Sequence, residues 1–513
     1  MRVEEANRIW ASIERRAEKA EGAGALANLV ELDDVNPIFD PASMVVFGRR
    51  GAGKTHTLLH LRRKVEDLED VGVYVDMRKI SSNAGIYDDD EIAFGTRATN
   101  MLVDVIGEVH EELYRLAVLG ESELLSANLH RFGPALDKLA EAVTKVRVVG
   151  ETTLQIETRS RTRDESSSGA EIEAGKTLGA RAHSSRKSGR DAEFGTTETR
   201  SGRPKIYVHL GELDAALSAI VQALDGHKLW LLIDEWSAGV PYELQPVLAD
   251  MLRRTFVSTP GIIVKIAAIE HRAKFITSAD NVEYVGLELG SDTAETLSLD
   301  SRLVIGTNPR PAQTFIRHLL AEHFRSAAGQ LAVEDVADPV ALSFHANAFP
   351  LLVLASEGNP RDAINLVSKA ARKARAEKVS ADDVLSTAED YFWNTKYKNV
   401  EGDRPLERMF EEFVNTSLER GLRTILFERS DKRRPLVDKL NDRRLIHLLR
   451  SGLRARNGGS LYDLYAVDFG SYAERIRLGQ MRWENDGFAN PMRFHLGDDT
   501  ESWRQAVIRR RSS

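Results

Sequence analysis

Short, largely apolar runs alternate with longer stretches of helical spacing through the first half of the chain. The apolar runs cover residues 43–47, 71–76, 229–233 and 262–269. Strands of a parallel sheet are covered by helices on both faces, so they are typically continuous hydrophobic runs. The stretches of helical spacing cover residues 58–68, 88–119, 122–146, 211–224 and 242–256. This alternation predicts an α/β fold with a parallel sheet and right-handed crossovers.

Residues 146–208 interrupt the alternation. Leu154 and Ile156 alternate with polar residues, and 205–208 has the composition of a returning strand. Between them, residues 160–201 are rich in Ser, Gly, Arg and Glu and carry few large apolar side chains. Such a segment cannot bury enough surface to fold alone. We therefore predict an inserted β-ribbon or flexible loop, which is either a mobile connection or a contact for an oligomer or ligand.

Three helices are predicted outside the alternating region and before residue 400. Residues 1–28 have the spacing of an amphipathic helix. A second helix covers 360–378, because Asn359 suits the N-cap and Pro360 suits the first helical position. A third covers 380–391 and begins with the residues of a capping box.

The first predicted strand leads directly into the sequence G-x-x-x-x-G-K-T, from Gly48 to Thr55. Between a strand and a helix, glycines let backbone N–H groups face a phosphate, and the helix N-terminus adds partial positive charge. Lys54 is placed to reach the β- and γ-phosphates, and the Thr55 hydroxyl to hold Mg²⁺. The predicted nucleotide-binding residues are Gly48, Arg49, Arg50, Gly51, Ala52, Gly53, Lys54, Thr55 and His56.

The apolar run 229–233 ends in Asp234 and Glu235. In open α/β sheets, ligands bind at the carboxyl ends of the strands. Asp234 is therefore expected to share the Mg²⁺ with Thr55, and Glu235 to orient or deprotonate the attacking water. Together with Lys54, these carboxylates predict an enzyme that hydrolyses ATP to ADP and phosphate, with ATP and Mg²⁺ as its cofactors.

Composition limits the cellular compartment and the kinds of additional site that the chain can have. The chain has 513 residues, 42% of them hydrophobic, a net charge of −8 and no cysteine. This excludes disulfides and cysteine chemistry and fits a cytoplasmic protein. No apolar run approaches the ~18 residues of a membrane span, and the dispersed histidines lack metal-ligand spacing. The acidic balance means that any nucleic-acid-binding surface has to be local.

The glycine loop, the run ending in Asp-Glu and the Gly358-Asn359-Pro360-Arg361 turn before a helix together resemble the AAA+ ATPases of the origin-recognition and replication-initiator group. Their bacterial relatives, often met in mobile-element or anti-phage defence loci, are the nearest likeness. The resemblance covers about residues 25–480, apart from the insertion. It implies a P-loop NTPase core with a helical lid, and a homo-oligomer in which Arg361 contacts the γ-phosphate as the lid arginine.

The sequence does not identify two functional residues that are expected in that group, the first sensor residue and the arginine finger. The residue after the fourth core strand is commonly Asn, Ser or Thr, whereas the candidates here are Glu270 and His271. For the arginine that acts on a neighbouring protomer, the candidates are Arg253, Arg254 and Arg272, and the alternative for each is an ordinary surface arginine.

The C-terminal pattern resembles a winged helix. It predicts a helix at 404–418, a strand at 424–428, short helices at 435–440 and 442–449, and a hairpin of 453–456 with 461–467. The second short helix would be the recognition element. The predicted DNA contacts are Arg443, Arg444 and Arg450, within a basic set that also includes Arg429, Lys432, Arg433, Arg434, Lys439, His447, Arg454 and Arg456. A local basic surface suits a phosphate-backbone binder, but a protein-contact module is the alternative.

The predicted organisation is an N-terminal helical lead-in (1–40), an ATPase core (41–310), a lid (311–398), a winged helix (399–480) and a tail (481–513). The function expected from it is an oligomeric ATPase that couples its nucleotide state to DNA engagement or partner recruitment. The first alternative is an ATP-dependent scaffold or sensor of anti-phage defence that acts through a separate effector protein without binding DNA. The second is an ATP-binding switch with negligible hydrolysis.

Overall fold

The computed structural model describes residues 1–18, 37–81, 87, 89, 92, 94–144, 211–277, 284–305, 310–331, 336–420, 423–454 and 459–479. The predicted insertion at 146–208 and the predicted tail at 481–513 lie outside the described residues. No helix in the described part of the chain is long and apolar enough to cross a membrane.

A five-stranded parallel sheet forms the centre of the first half of the chain. Its strands are β1 (Met44–Phe47), β2 (Val71–Asp76), β3 (Leu229–Asp234), β4 (Ile262–Ala268) and, after the short pair β5 (Ile276–Thr277) and β6 (Val285–Gly286), β7 (Leu297–Ser298). The order across the sheet is β2-β3-β4-β1-β7. All four strands predicted from apolar runs are confirmed. Strand β4 separates β1 from β3, and the register aligns Asp76 with Asp234 at the carboxyl edge.

Helices cover both faces of this sheet. They are α2 (Lys54–Asp67), α3 (Met77–Ser81), α4 (Phe94–Val118), α5 (Glu123–Ala127), α6 (129–144), α7 (Gly211–Ala223), α8 (Trp236–Gly239) and α9 (Gln245–Leu252). Alternate strand residues point to opposite faces. Val46, Trp230 and Leu232 therefore pack with Leu58 and Leu61 of α2 on one face. The other face packs with helices that include α4, α7 and α9.

A second core joins the N-terminal helix to helices from the middle of the chain. Together α1 (Val3–Glu18), α11 (Arg310–Gln330), α12 (Pro339–Ser343), α13 (Ala348–Ala355), α14 (Pro360–Ala374) and α15 (Ala381–Tyr391) form the helical layer, and α10 (Asp300–Leu303) precedes them. Trp10 of α1 is fully buried and donates its indole N–H to the Ser343 hydroxyl at 2.9 Å. Helix α1 is thus part of this layer. The predicted caps of α14 and α15 are confirmed.

The last described part is the C-terminal module, residues 404–420, 423–454 and 459–479. It contains α16 (Arg404–Arg420), β8 (Thr424–Glu428), α17 (Arg434–Asp442), β9 (Ile446–Arg454), β10 (Leu461–Val467) and α18 (Ala473–Arg477). The three strands form an antiparallel sheet in the order β8-β10-β9. The strand predicted at 424–428 is confirmed with its bounds.

The prediction of a recognition helix at 442–449 is wrong. Helix α17 ends at Asp442, Arg444 takes a left-handed backbone conformation with φ of 62°, and β9 begins at Ile446. Ile446 and His447 pair with β10, and both are buried. A short apolar run fits a strand as well as a helix, and here pairing with β10 decides the outcome.

Candidate active site

The glycine loop lies between β1 and α2 at the carboxyl edge of the sheet. Gly51 and Gly53 have φ values of 83° and 96°, which a residue with a Cβ rarely adopts. No side chain caps the N-terminus of α2, whose first residue is Lys54. The first N–H groups of a helix lack partners within the helix, so this end offers donors and partial positive charge to an anion.

Lys54 is the buried cation of the loop. Its ammonium donates to the carbonyl oxygens of Gly48 at 2.8 Å and Arg49 at 3.2 Å. Burial lowers the pKa of Lys54, and the nearby Glu235 and Asp234 carboxylates oppose that shift. Thr55 follows as the second residue of α2. The loop backbone and these side chains fit the triphosphate and Mg²⁺ that the sequence predicts.

Asp234 ends β3 with its side chain fully buried. One carboxylate oxygen accepts the N–H of Glu235 at 2.7 Å, and the other accepts the hydroxyl of Tyr74 at 2.8 Å. Burial and the Asp234 carboxylate both raise the pKa of Tyr74, so its phenol stays protonated and donates. Tyr74 lies on the neighbouring strand β2 and fixes the orientation of the predicted Mg²⁺ ligand.

Glu235 has φ of 55°, in the left-handed region, immediately before α8. A non-glycine residue held in this region often marks a functional position. Its side chain is 27% exposed and lies 3.5 Å from the Arg78 guanidinium, measured from Oε1 to Nη1. Arg78 is fixed in turn by Asp76, whose carboxylate accepts from its Nε at 3.1 Å and its Nη2 at 2.8 Å.

Tyr74, Asp76 and Arg78 were missed by the sequence reasoning. The signal for them is their position, because Tyr74 and Asp76 lie in the carboxyl-terminal half of β2 and Arg78 follows the strand. That strand was itself predicted, and it pairs with β3. Only the strand order, however, places Tyr74 beside Asp234.

The N-terminus of α14 contacts the glycine loop. Asn359 accepts the N–H groups of Arg361 and Asp362 through its side-chain oxygen, and its Nδ2 donates to the Arg50 carbonyl at 2.7 Å. The Arg361 N–H approaches the Gly51 carbonyl at 3.4 Å. A Cβ at Gly51 would lie 2.5 Å from Asn359 Oδ1, so the approach requires glycine. The structure therefore brings Arg361, whose side chain is exposed, to the loop.

The other predicted loop residues differ in their surroundings. Ala52 is buried and the Arg50 side chain is exposed. His56 is partly buried. Burial lowers the pKa of His323 in α11 to about 4, and the nearby His56 contributes to that shift. Arg49 leaves the loop and bonds to Asp300 and to the Glu357 carbonyl.

The residues after β4 lie at the same sheet edge. Glu270, the candidate for the first sensor position, begins a 3-10 helix and is exposed. His271 contacts Asp442 of α17 at 3.0 Å, and Arg272 forms an ion pair with the same carboxylate. These contacts join the carboxyl edge of the sheet to α17 of the C-terminal module.

The remaining arginine-finger candidates are paired within the chain. Asp250 accepts from Arg253 and from Arg254, each at 2.7 Å. Arg253 also donates to the Gly286 carbonyl at 2.9 Å. A role for either residue, or for Arg272, on a neighbouring protomer stays a prediction.

The predicted DNA contacts do not share one surface helix. Arg443 donates to the Asn399 carbonyl, and Arg444 forms an ion pair with the fully buried Asp362. Arg450 lies on β9 and is exposed. Arg444 is thus engaged inside the molecule because its left-handed turn points it towards α14, and DNA binding stays a prediction.

The comparison with solved structures gives distant structural likenesses. No family model matches the chain, and no curated protein matches it. Among solved structures, the Walker-type ATPase PABY2304 of Pyrococcus abyssi is similar, with 11% sequence identity, over 91% of this chain and 94% of that chain, at a TM-score of 0.35. A likeness at this level carries no information about the function of the present chain.

Proposed function

We propose that the chain binds MgATP at the glycine loop and hydrolyses it to ADP and phosphate. The observation that carries this proposal is the meeting of Lys54, Asp234 and Glu235 at one sheet edge, with both carboxylates close enough to influence the pKa of Lys54. A buried ammonium, uncapped helix donors and a buried carboxylate next to a partly exposed one provide the groups that phosphoryl transfer to water needs.

Each residue has a distinct role in this proposal. The loop N–H groups and Lys54 bind the phosphates, while Thr55 and Asp234 offer the oxygen ligands that Mg²⁺ prefers. The metal, when bound, neutralises charge on the phosphate oxygens. Tyr74 keeps the Asp234 carboxylate oriented. Glu235 orients the water and accepts its proton.

The helical layer supports the proposed role of a lid. The N-terminus of α14 contacts the loop through Asn359 and the Arg361 backbone. Arg361 is the second residue of α14, and its side chain is exposed. We expect this side chain to reach a phosphate bound in the loop. We propose that nucleotide state changes the position of this lid, and with it the C-terminal module, as in other switches that respond to a γ-phosphate.

Phosphate release by wild type and by Glu235→Gln tests the proposal. Removing the base while keeping the shape should lower turnover by roughly 10²–10⁴-fold and leave ATP binding in place. Glu243→Gln, the same change at an exposed side chain of the core, is the matched control and should keep the wild-type rate.

Equal rates near zero for wild type and Glu235→Gln, with ATP still bound, would favour the non-hydrolysing switch. Wild-type protein that binds no nucleotide would refute the proposal altogether.

A further inference from the structure

Arg49 connects the glycine loop to Asp300 of α10 and to Glu357, which follows α13. Its backbone N–H donates to Asp300 at 2.7 Å, and its Nε lies 3.3 Å from the other oxygen of that carboxylate. Its Nη2 donates to the Glu357 carbonyl at 2.5 Å. The side chain is only 12% exposed. A residue of the loop is thus fixed to the turn between α13 and α14.

Glu357 continues this connection into the C-terminal module. Its carboxylate forms an ion pair with Arg423 and accepts the N–H of Phe469 at 3.1 Å. Glu357 has φ of 55° and is 1% exposed. Glycine is the residue expected at such a helix end, because a side chain strains the backbone in the left-handed region. The presence of glutamate there indicates that its carboxylate is needed.

A second buried group of charges joins the same two parts. Lys396 donates to Asp468 at 2.6 Å and lies 2.9 Å from Asp362 of α14. Arg444 pairs with Asp362, and His447 contacts Asp468 at 2.8 Å. Asp362, Lys396 and Asp468 are at most 1% exposed.

The two groups together define the ionic joint, in which three carboxylates face three cations: Glu357, Asp362 and Asp468 with Arg423, Lys396 and Arg444. Although Glu357, His447 and Asp468 are close enough to hold a metal ion, Lys396 and Arg423 already supply positive charge there. Separating buried partners leaves charges without compensation inside the protein, which is strongly unfavourable. The joint therefore holds the helical layer and the C-terminal module together.

We propose that Arg49 transmits phosphate binding in the loop to this joined body. The inference rests on the proposed function and names how that site is coupled. In the structure, Lys54 bonds to the Gly48 and Arg49 carbonyls. A phosphate competes for the ammonium, which loosens the peptide that carries Arg49. Since Arg49 bonds to the Glu357 carbonyl, its displacement moves the α13–α14 turn, and the ionic joint carries that movement to the C-terminal module.

The chain has no cysteine, so pairs of spin labels can be placed without background. Exposed sites are Leu68 in the core, Leu331 in the helical layer and Leu461 in the C-terminal module, each replaced by cysteine. Double electron–electron resonance is recorded without nucleotide and with saturating MgATP, in a Glu235→Gln background that holds ATP. The 68–461 distance should shift on ATP binding, and the 331–461 distance should not.

Arg49→Met is the decisive variant, because it keeps the length of the side chain and removes its bonds. ATP should still bind, and the shift in the 68–461 distance should be lost. Arg131→Met is the matched control, since it makes the same substitution at an exposed side chain of α6 in the core. It should keep the shift at saturating ATP.

An unchanged shift in Arg49→Met, with ATP bound, would overturn the proposal, as would a change in the 331–461 distance in the Glu235→Gln background with Arg49 intact. If Arg49→Met does not fold because Asp300 is left unpaired, the double variant Arg49→Met with Asp300→Asn removes both charges and has the same expected outcome. Nucleotide binding is measured separately by calorimetry. If the wild type binds no nucleotide, the proposed function is refuted. If it binds nucleotide but the distance does not respond as expected, only the proposed coupling is refuted.

Discussion

Arg444→Ala tests whether this arginine is a structural residue rather than a DNA contact. The guanidinium of Arg444 forms an ion pair with Asp362, and its side chain is 16% exposed. Asp362 itself is fully buried and also contacts Lys396 at 2.9 Å and the Tyr391 hydroxyl at 3.1 Å. The Lys396 and Arg444 cations hold the pKa of Asp362 well below its usual range, so the carboxylate stays charged.

The expected cost follows from these contacts. Removing one partner of a buried ion pair costs about 3–5 kcal/mol, because the other charge is left without compensation. Asp362 keeps Lys396 and Tyr391, so we expect the lower end, about 3 kcal/mol. That free energy corresponds to roughly a 10²-fold change in an opening equilibrium. The loss should be concentrated where the helical layer meets the C-terminal module.

Hydrogen exchange measured by mass spectrometry reports this opening locally. Peptides from α14 and β9 should exchange roughly 10²-fold faster in Arg444→Ala, while peptides from β3 and β4 should not change. The matched control is Arg443→Ala, which removes only a hydrogen bond to the Asn399 carbonyl and should cost less than about 1 kcal/mol. Equal exchange in Arg444→Ala and Arg443→Ala would show that the buried ion pair does not stabilise the interface.

Two further predictions concern single buried groups. Tyr74→Phe removes the hydroxyl that donates to Asp234, and the free energy of urea unfolding without nucleotide should fall by about 2 kcal/mol, whereas Tyr114→Phe at a half-exposed site should leave it unchanged. The pKa of His323 is lowered to about 4 from 6.5 by burial and by His56, so the folded state excludes a proton that the unfolded chain binds. Stability should therefore fall by up to about 3 kcal/mol as the pH drops from 6.5 to 4, and His323→Gln should remove that part of the pH dependence.

Local pattern was sufficient for the elements that carry the site. The apolar runs of β1 to β4 are continuous because helices bury them on both sides, and a continuous run is visible without a structure. The glycine loop needs positive φ and a following helix, both of which leave a trace in residue type. The cap at Asn359 is local as well, since side chain and backbone lie within three residues.

Contacts between distant residues left no such trace. In the sequence, Arg49, Arg78 and Arg444 cannot be told apart from surface arginines. Arg49 and Arg444 are nevertheless largely buried. The basic set near residue 440 predicted a DNA surface, but Arg433 and Arg434 pair with carboxylates of the C-terminal module. A charge in a sequence does not show whether its partner is solvent or a carboxylate far along the chain.

The sequence by itself therefore determined strands β1 to β4, the glycine loop and the candidate residues Lys54, Thr55, Asp234 and Glu235, because each depends on neighbours within a few residues. Tertiary structure alone decided the strand order, the contact of Tyr74 with Asp234 and the path from Arg49 into the ionic joint. Those features depend on pairings between residues far apart in the chain: Tyr74 and Asp234 are 160 positions apart, and Arg49 and Glu357 are 308 positions apart. Burial makes such pairings strong, and only the folded chain shows which groups are buried together.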